Sequence, residues 1–148
     1  MGVSRSRLRP PHRDLLPLLG IGLGGALGTV TRAELSRLWP VSPGDFPWTT
    51  FVINLTGAVV LSFLLEALGR RGPDSGRRRL IRLTVGTGLI GGYTTYSTFA
   101  VETVQALAVA PLVGVCYLVA SVVGGPLAAV LGYLAARRLV PLAGKAVA

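Results

Sequence analysis

Ionisable and nucleophilic side chains are scarce in this 148-residue sequence. Its one cysteine, Cys116, can form neither an internal disulfide nor a multi-thiolate metal site. It falls inside an apolar run, where a thiol is expected to be buried and inert. The one histidine, His12, sits in a Pro- and Arg-rich N-terminal stretch, which argues against a histidine metal site or a catalytic triad. Most hydrolytic chemistry is excluded with them, and no ATP-binding motif or low-complexity repeat is present. Charged residues make up 14% of the chain, against about a quarter in soluble domains, so an ordinary water-soluble fold is excluded as well.

What is abundant is apolar. Hydrophobic residues reach 51% and the mean hydropathy is +0.61. Fifteen Lys and Arg against six Asp and Glu give a net charge of +9. A basic balance can signal nucleic-acid binding when it covers a folded polar surface. Here the charges fall in short clusters between long apolar runs, which points to membrane topology, with no nucleic acid as partner.

One integral membrane domain accounts for the chain. Residues 1–14 read as a basic, disordered tail broken by Pro10 and Pro11, residues 15–139 as the membrane domain, and residues 140–148 as a short C-terminal tail. A spanning helix needs about 20 mostly apolar residues, with a lower limit near 17. The first uncharged run, Leu15 to Thr31, ends at Arg32; the second stops at Glu66 and the third at Glu102. From there no charge occurs until Arg137, and Pro111 divides the stretch because proline favours a helix start. Four transmembrane helices result, over about 15–35, 46–66, 81–108 and 112–136. The first run lacks a clear signal-peptidase site and precedes three more, so it is read as a span. Trp39 and Trp48 are expected interfacial anchors. Gly20, Gly24 and Gly28 recur four apart, a spacing that suits close helix packing in lipid.

The third run holds the least ordinary segment, Gly91-Gly92-Tyr93-Thr94-Thr95-Tyr96-Ser97-Thr98-Phe99. Gly costs about 1 kcal/mol relative to Ala in a helix, and β-branched Thr adds a little. The third helix is therefore expected to break in mid-membrane, freeing carbonyl oxygens that could hold a cation. The alternative is a continuous helix using Ser and Thr as interhelical glue. In the second run Thr50 and Asn54 share a helical face, and the Asn54 amide can donate either to an anion or across a helix interface. Tyr117 and Ser121 form a similar hydroxyl pair on the fourth, followed on that face by Gly125. No carboxylate is expected in the middle of a span, since Glu34, Glu66 and Glu102 fall at the expected ends. A proton-coupled antiporter normally needs such a group.

With these pieces in place, the chain resembles the fluoride channels of the CrcB/Fluc family. The resemblance rests on G-G-A-L-G-T-V-T-R at Gly24 to Arg32, T-x-x-x-N-L-x-G at Thr50 to Gly57, and G-G-Y-T-T-Y-S-T-F at Gly91 to Phe99. It implies an all-α membrane protein assembling as an antiparallel dimer, with two fluoride pathways near the interface and passive export that lowers cytoplasmic fluoride. It also implies a structural sodium ion, not transported, held by the backbone carbonyls of Gly91 and Thr94 from both subunits. Asn54 then corresponds to the pore amide, Tyr96 and Phe99 to the pore aromatics, and Tyr117 and Ser121 to part of a hydroxyl track. Arg32 matches the arginine closing the first helix. Thr50, Ser97 and Thr98 are further candidate donors. Tyr96 stands where the family commonly has phenylalanine, and Gly125 where a hydroxyl is expected; a pathway lined by Tyr96 is expected to conduct differently.

Two other classes compete. A small multidrug exporter would need an acid in the first span, and Leu15 to Thr31 has none. A non-conducting membrane subunit would give no fluoride efflux. In a four-span chain both termini and the middle loop share one side, which carries thirteen Lys and Arg against two, Arg32 and Arg37, opposite. The positive-inside rule puts both termini in the cytoplasm of a plasma-membrane protein. So strong a bias conflicts with insertion in both orientations, and the antiparallel partner is therefore expected to be an oppositely oriented homologue.

Overall fold

Pro47 occupies the N-cap of the second helix and keeps Phe46, the residue before it, out of helical backbone; the helix therefore starts at Trp48. In the computed structural model, which describes residues 15–144, every regular element among the described residues is helical. In chain order these are α1 (Leu15–Leu38), α2 (Trp48–Arg70), α3 (Gly76–Ile81), a π-helical segment (Arg82–Ile90), α4 (Gly91–Tyr93), α5 (Tyr96–Val109) and α6 (Pro111–Leu139). The N-terminal tail with His12, and Lys145, lie outside the described residues.

Three of these helices, α1, α2 and α6, are long and apolar enough to cross a membrane. Each runs past its apolar stretch into terminal arginines, whose long stems let the backbone stay helical while the charged heads reach water. The stretch 76–109 is instead divided among four shorter pieces. A nine-residue π-helix is unusual, since wide turns mostly occur singly and often near functional sites.

Packing follows two pairs. α1 lies against the π segment and α4, running the same way, and α2 lies against α6, also in the same direction. Gly24 and Gly28 are buried where α1 meets the backbone of Thr84, Leu89 and Tyr93; a Cβ at either would collide with main-chain atoms. Gly132 lets α6 press on the carbonyl of Val59 in the same manner. Gly57 and Gly86 bring α2 against the middle piece in the opposite sense. The chain thus runs up, down, up and down. One end gathers Leu15, Arg70, Arg82 and Leu139; the other gathers Leu38, Trp48 and Pro111. Arg70 fastens the first end, donating from Nε to the Val140 carbonyl at 2.6 Å while its own carbonyl accepts from the Ala143 N–H at 2.8 Å.

Few large side chains are fully buried, and α1 and α6 expose long rows of Leu and Val. Cys116 lies on that exposed surface of α6, which corrects the expectation of a buried thiol. The cause is register: Gly114 and Tyr117 take the packed face, and Cys116 points away from it.

Candidate functional site

Helical geometry stops at two residues. Thr94 has ψ of 160° and Thr95 has φ of −150°, both extended, between the end of α4 and the start of α5. Two residues without helical bonds need other partners. Asn54 on α2 supplies them: its Nδ2 donates to the Thr95 carbonyl at 2.9 Å, and the Thr95 N–H donates to its Oδ1 at 2.9 Å. One of the two amide N–H groups remains. Thr95 also caps α5, its Oγ1 accepting from the Thr98 N–H at 3.1 Å and donating to the Thr98 Oγ1 at 3.0 Å, with the Ser97 hydroxyl at 3.3 Å. The hydroxyls of Ser97 and Thr98 are therefore engaged in the cap.

On the other side of the interruption, Arg32 Nε donates to the Gly92 carbonyl at 3.2 Å, tying the end of α1 to α4. Thr94 donates twice to the Ile90 carbonyl, through its N–H and its Oγ1, both at 2.9 Å. The Tyr93 hydroxyl lies 3.0 Å from that of Thr56, a link to α2 with no counterpart in the sequence motifs. Because the Thr95 N–H points to Asn54, the Gly91 carbonyl loses its ordinary helical donor. The extended Thr94 turns its carbonyl off the helix axis. Gly91 is exposed with open space around it. Main-chain oxygens without helical donors are the ligand type a hard cation takes, and among the described residues no cluster of His, Cys, Asp or Glu offers a side-chain metal site.

A cavity of about 380 Å³ opens beside the interruption, lined by Asn54, Thr95, Tyr96, Phe99, Ser121 and Gly125 among others. No charged side chain lines it. The Ser121 Oγ is buried without a hydrogen-bond partner. Tyr96 is 81% exposed and its ring lies 6.0 Å from that of Phe99, which in turn meets Tyr117 at 5.3 Å with the rings tilted by 60°. Gly125 adds no group to this face of α6, and a Cβ there would meet open space.

A larger cavity, about 570 Å³, lies between the 39–47 loop and α5, with Asp45, Thr50, Glu102 and Gln105 in its wall. Here the structure corrects a sequence expectation. Glu102 stands in the middle of α5 rather than at a helix end, because α5 starts only at Tyr96. Buried Thr50 donates from Oγ1 to Glu102 Oε1 at 2.9 Å, and fully buried Tyr117 donates to Oε2 at 3.0 Å. Both hydroxyls are thus committed to the carboxylate. The sequence treats Glu102 as a boundary marker; only with Thr95 found as the cap of α5 does the seven-residue spacing put Glu102 well inside that helix.

Of the candidate residues, the first cavity brings together Asn54, Thr94, Tyr96, Phe99 and Ser121; Thr50 and Tyr117 meet at Glu102; Arg32 bonds to Gly92, the residue after Gly91. Three helices long and apolar enough to cross a membrane, packed with an interrupted helical stretch and a charge-free cavity beside the interruption, are the features of a small polytopic membrane protein. Residues 19–133 match the family described as CrcB-like protein, Camphor Resistance (CrcB). The chain is 47% identical over 125 residues, 82% of its length and 87% of the relative's, to fluoride-specific ion channel FluC 1 of Cutibacterium acnes. It is 51% identical over 112 residues, 76% of each chain, to fluoride-specific ion channel FluC 2 of Leifsonia xyli. Against FluC 1 of Rhodococcus jostii identity is 44% over 132 residues, 89% of this chain and 94% of that one. The chain belongs to the CrcB family.

Proposed function

We propose that this chain is a fluoride channel of the plasma membrane, and not an enzyme, through which fluoride leaves the cytoplasm passively. The observation that carries the reading is a charge-free cavity whose lining includes Asn54, with one N–H beyond its Thr95 bond, Ser121, whose hydroxyl has no partner, and the aromatic residues Tyr96 and Phe99. Fluoride is small and strongly hydrated, so a narrow path must replace its lost water with donors. Asn54 and Ser121 supply them, and the positive ring edges of Phe99 and Tyr96 add attraction without a full charge. A fixed cation there would hold the anion too tightly for release. Thr50, Tyr117, Ser97 and Thr98 reach the ion only by exchanging their present partners. An inside-negative potential contributes about 2.3 kcal/mol per charge per 100 mV to outward movement, so no other energy source is required.

In the same reading the 76–109 stretch is the third of four spans, with the Thr94–Thr95 interruption at mid-membrane depth. Two subunits pack antiparallel, and the carbonyls of Gly91 and Thr94 from each hold a sodium ion that stabilises the pair without being transported. The second subunit is an oppositely oriented homologue. The test is fluoride-electrode efflux from proteoliposomes containing the purified chain, alone and with such a homologue. Fluoride release with chloride retained, in either arm, supports the channel; no release in both overturns it. Strong release by the chain alone removes the need for a different partner and leaves the channel standing.

A further inference from the structure

We propose that the arginine-rich end of the helices is a binding surface for the phosphate of anionic phospholipid headgroups, with Arg71, Arg77, Arg137 and Arg138 as its contacts. All four are exposed. Arg71, Arg137 and Arg138 come to one end because the chain after α6 is fastened to the end of α2 through Arg70, Val140 and Ala143, and Arg77 stands on α3, which follows α2 at that end. The two carboxylates of that end are already engaged by other arginines, Glu66 by Arg70 at 3.3 Å and Asp74 by Arg82 at 2.7 Å. The positive charge on the four is therefore uncompensated by any carboxylate on this end of the described residues.

The residues beneath them select the kind of anion. On α6, Leu131, Leu134 and Arg138 follow one face at helical spacing, and Val130, Tyr133 and Arg137 follow the next. Leu131 is 64% exposed, and Val130, Tyr133 and Leu134 are exposed too. The guanidinium groups of Arg137 and Arg138 thus each cap an open apolar stripe, with Arg71 and Arg77 adding charge beside them. The Arg137 guanidinium lies over the Tyr133 ring, 5.6 Å from its centroid, and donates to that hydroxyl at 3.5 Å, which keeps it at the boundary between stripe and water. A ligand meeting both features has an anionic head and apolar tails. Arginine is suited to the head, because its planar fork engages phosphate oxygens in pairs.

The full chain in a zwitterionic detergent, titrated separately with phosphatidylglycerol, phosphatidylcholine and inorganic phosphate, tests this by native mass spectrometry of the bound species. Phosphatidylglycerol is expected to bind in preference to phosphatidylcholine, and inorganic phosphate at equal concentration is expected not to displace it. Substituting all four arginines by glutamine is expected to reduce the preference at least tenfold, since each such charge near a membrane surface contributes about fivefold. Arg37→Gln, at the opposite end, is expected to leave it unchanged. Substituting all four by lysine keeps the charge and guards against a glutamine variant that does not fold. Undiminished preference in the glutamine variant overturns the proposal. So does displacement of the lipid by inorganic phosphate, or absence of preference in a folded lysine variant.

Discussion

Tyr117 and Ser121 sit four residues apart on α6 and have opposite environments. The first is fully buried with its hydroxyl given to Glu102; the second is buried at its oxygen with no partner at all. An unsatisfied buried hydroxyl costs about 1–3 kcal/mol, so the Ser121 oxygen adds nothing to the stability of this fold. Ser121→Ala is therefore expected to leave thermal stability in detergent unchanged or raised by up to about 1 kcal/mol, while fluoride efflux falls several-fold. Paired unfolding and efflux measurements separate the two effects. Unaltered efflux would remove Ser121 from the pathway. Asn54 offers no such separation, because Thr95 depends on it for both backbone bonds, and its loss would disturb fold and pathway together.

Within the elements, the contrast between Gly22 and Gly28 on α1 isolates what close approach is worth. A Cβ at Gly28 would meet the Leu89 carbonyl and the Tyr93 amide, main-chain atoms that cannot swing aside, whereas a Cβ at Gly22 meets nothing. Gly28→Ala is expected to destabilise by about 1–3 kcal/mol through overpacking. Gly22→Ala is expected to stabilise by up to about 1 kcal/mol through helix propensity. Thermal unfolding of both variants in one detergent checks the pair, and equal shifts of the same sign would sink the packing account. The same contrast marks what the sequence can reveal. Regular spacing of Gly20, Gly24 and Gly28 is legible because it depends on a single helix. The π segment is not, since it depends on how Gly86 and Gly88 sit against α2 and α1. Nor is the choice of Thr94 and Thr95 as the extended pair legible, since the amide that satisfies Thr95 lies 41 residues away. Glu102 escapes for a similar reason: its partners, Thr50 and Tyr117, come from two other helices.

At the scale of the whole molecule the charge is divided between two ends. Eight arginines of the described residues gather where α2, α3 and α6 terminate or begin, against Arg32 and Arg37 at the other end, and Arg37 is neutralised locally by Glu34 at 2.8 Å. Arg32 is spent on the Gly92 carbonyl. The asymmetry among the described residues is eight arginines against two. It is carried by short loops and helix ends, the places where such charge governs insertion. One orientation in the cell is the expected result, with the arginine end in the cytoplasm. In a Cys116→Ser background, Ser42→Cys in the 39–47 loop is expected to react with a membrane-impermeant maleimide applied to intact cells. Ser75→Cys, beside α3, is expected to react only after the membrane is opened. Comparable labelling at both positions on intact cells would mean that the chain inserts both ways. It could then supply its own antiparallel partner, and the need for an oppositely oriented homologue would disappear. Labelling confined to Ser42→Cys leaves every copy facing one way, so that an antiparallel assembly has to draw its second subunit from a different chain.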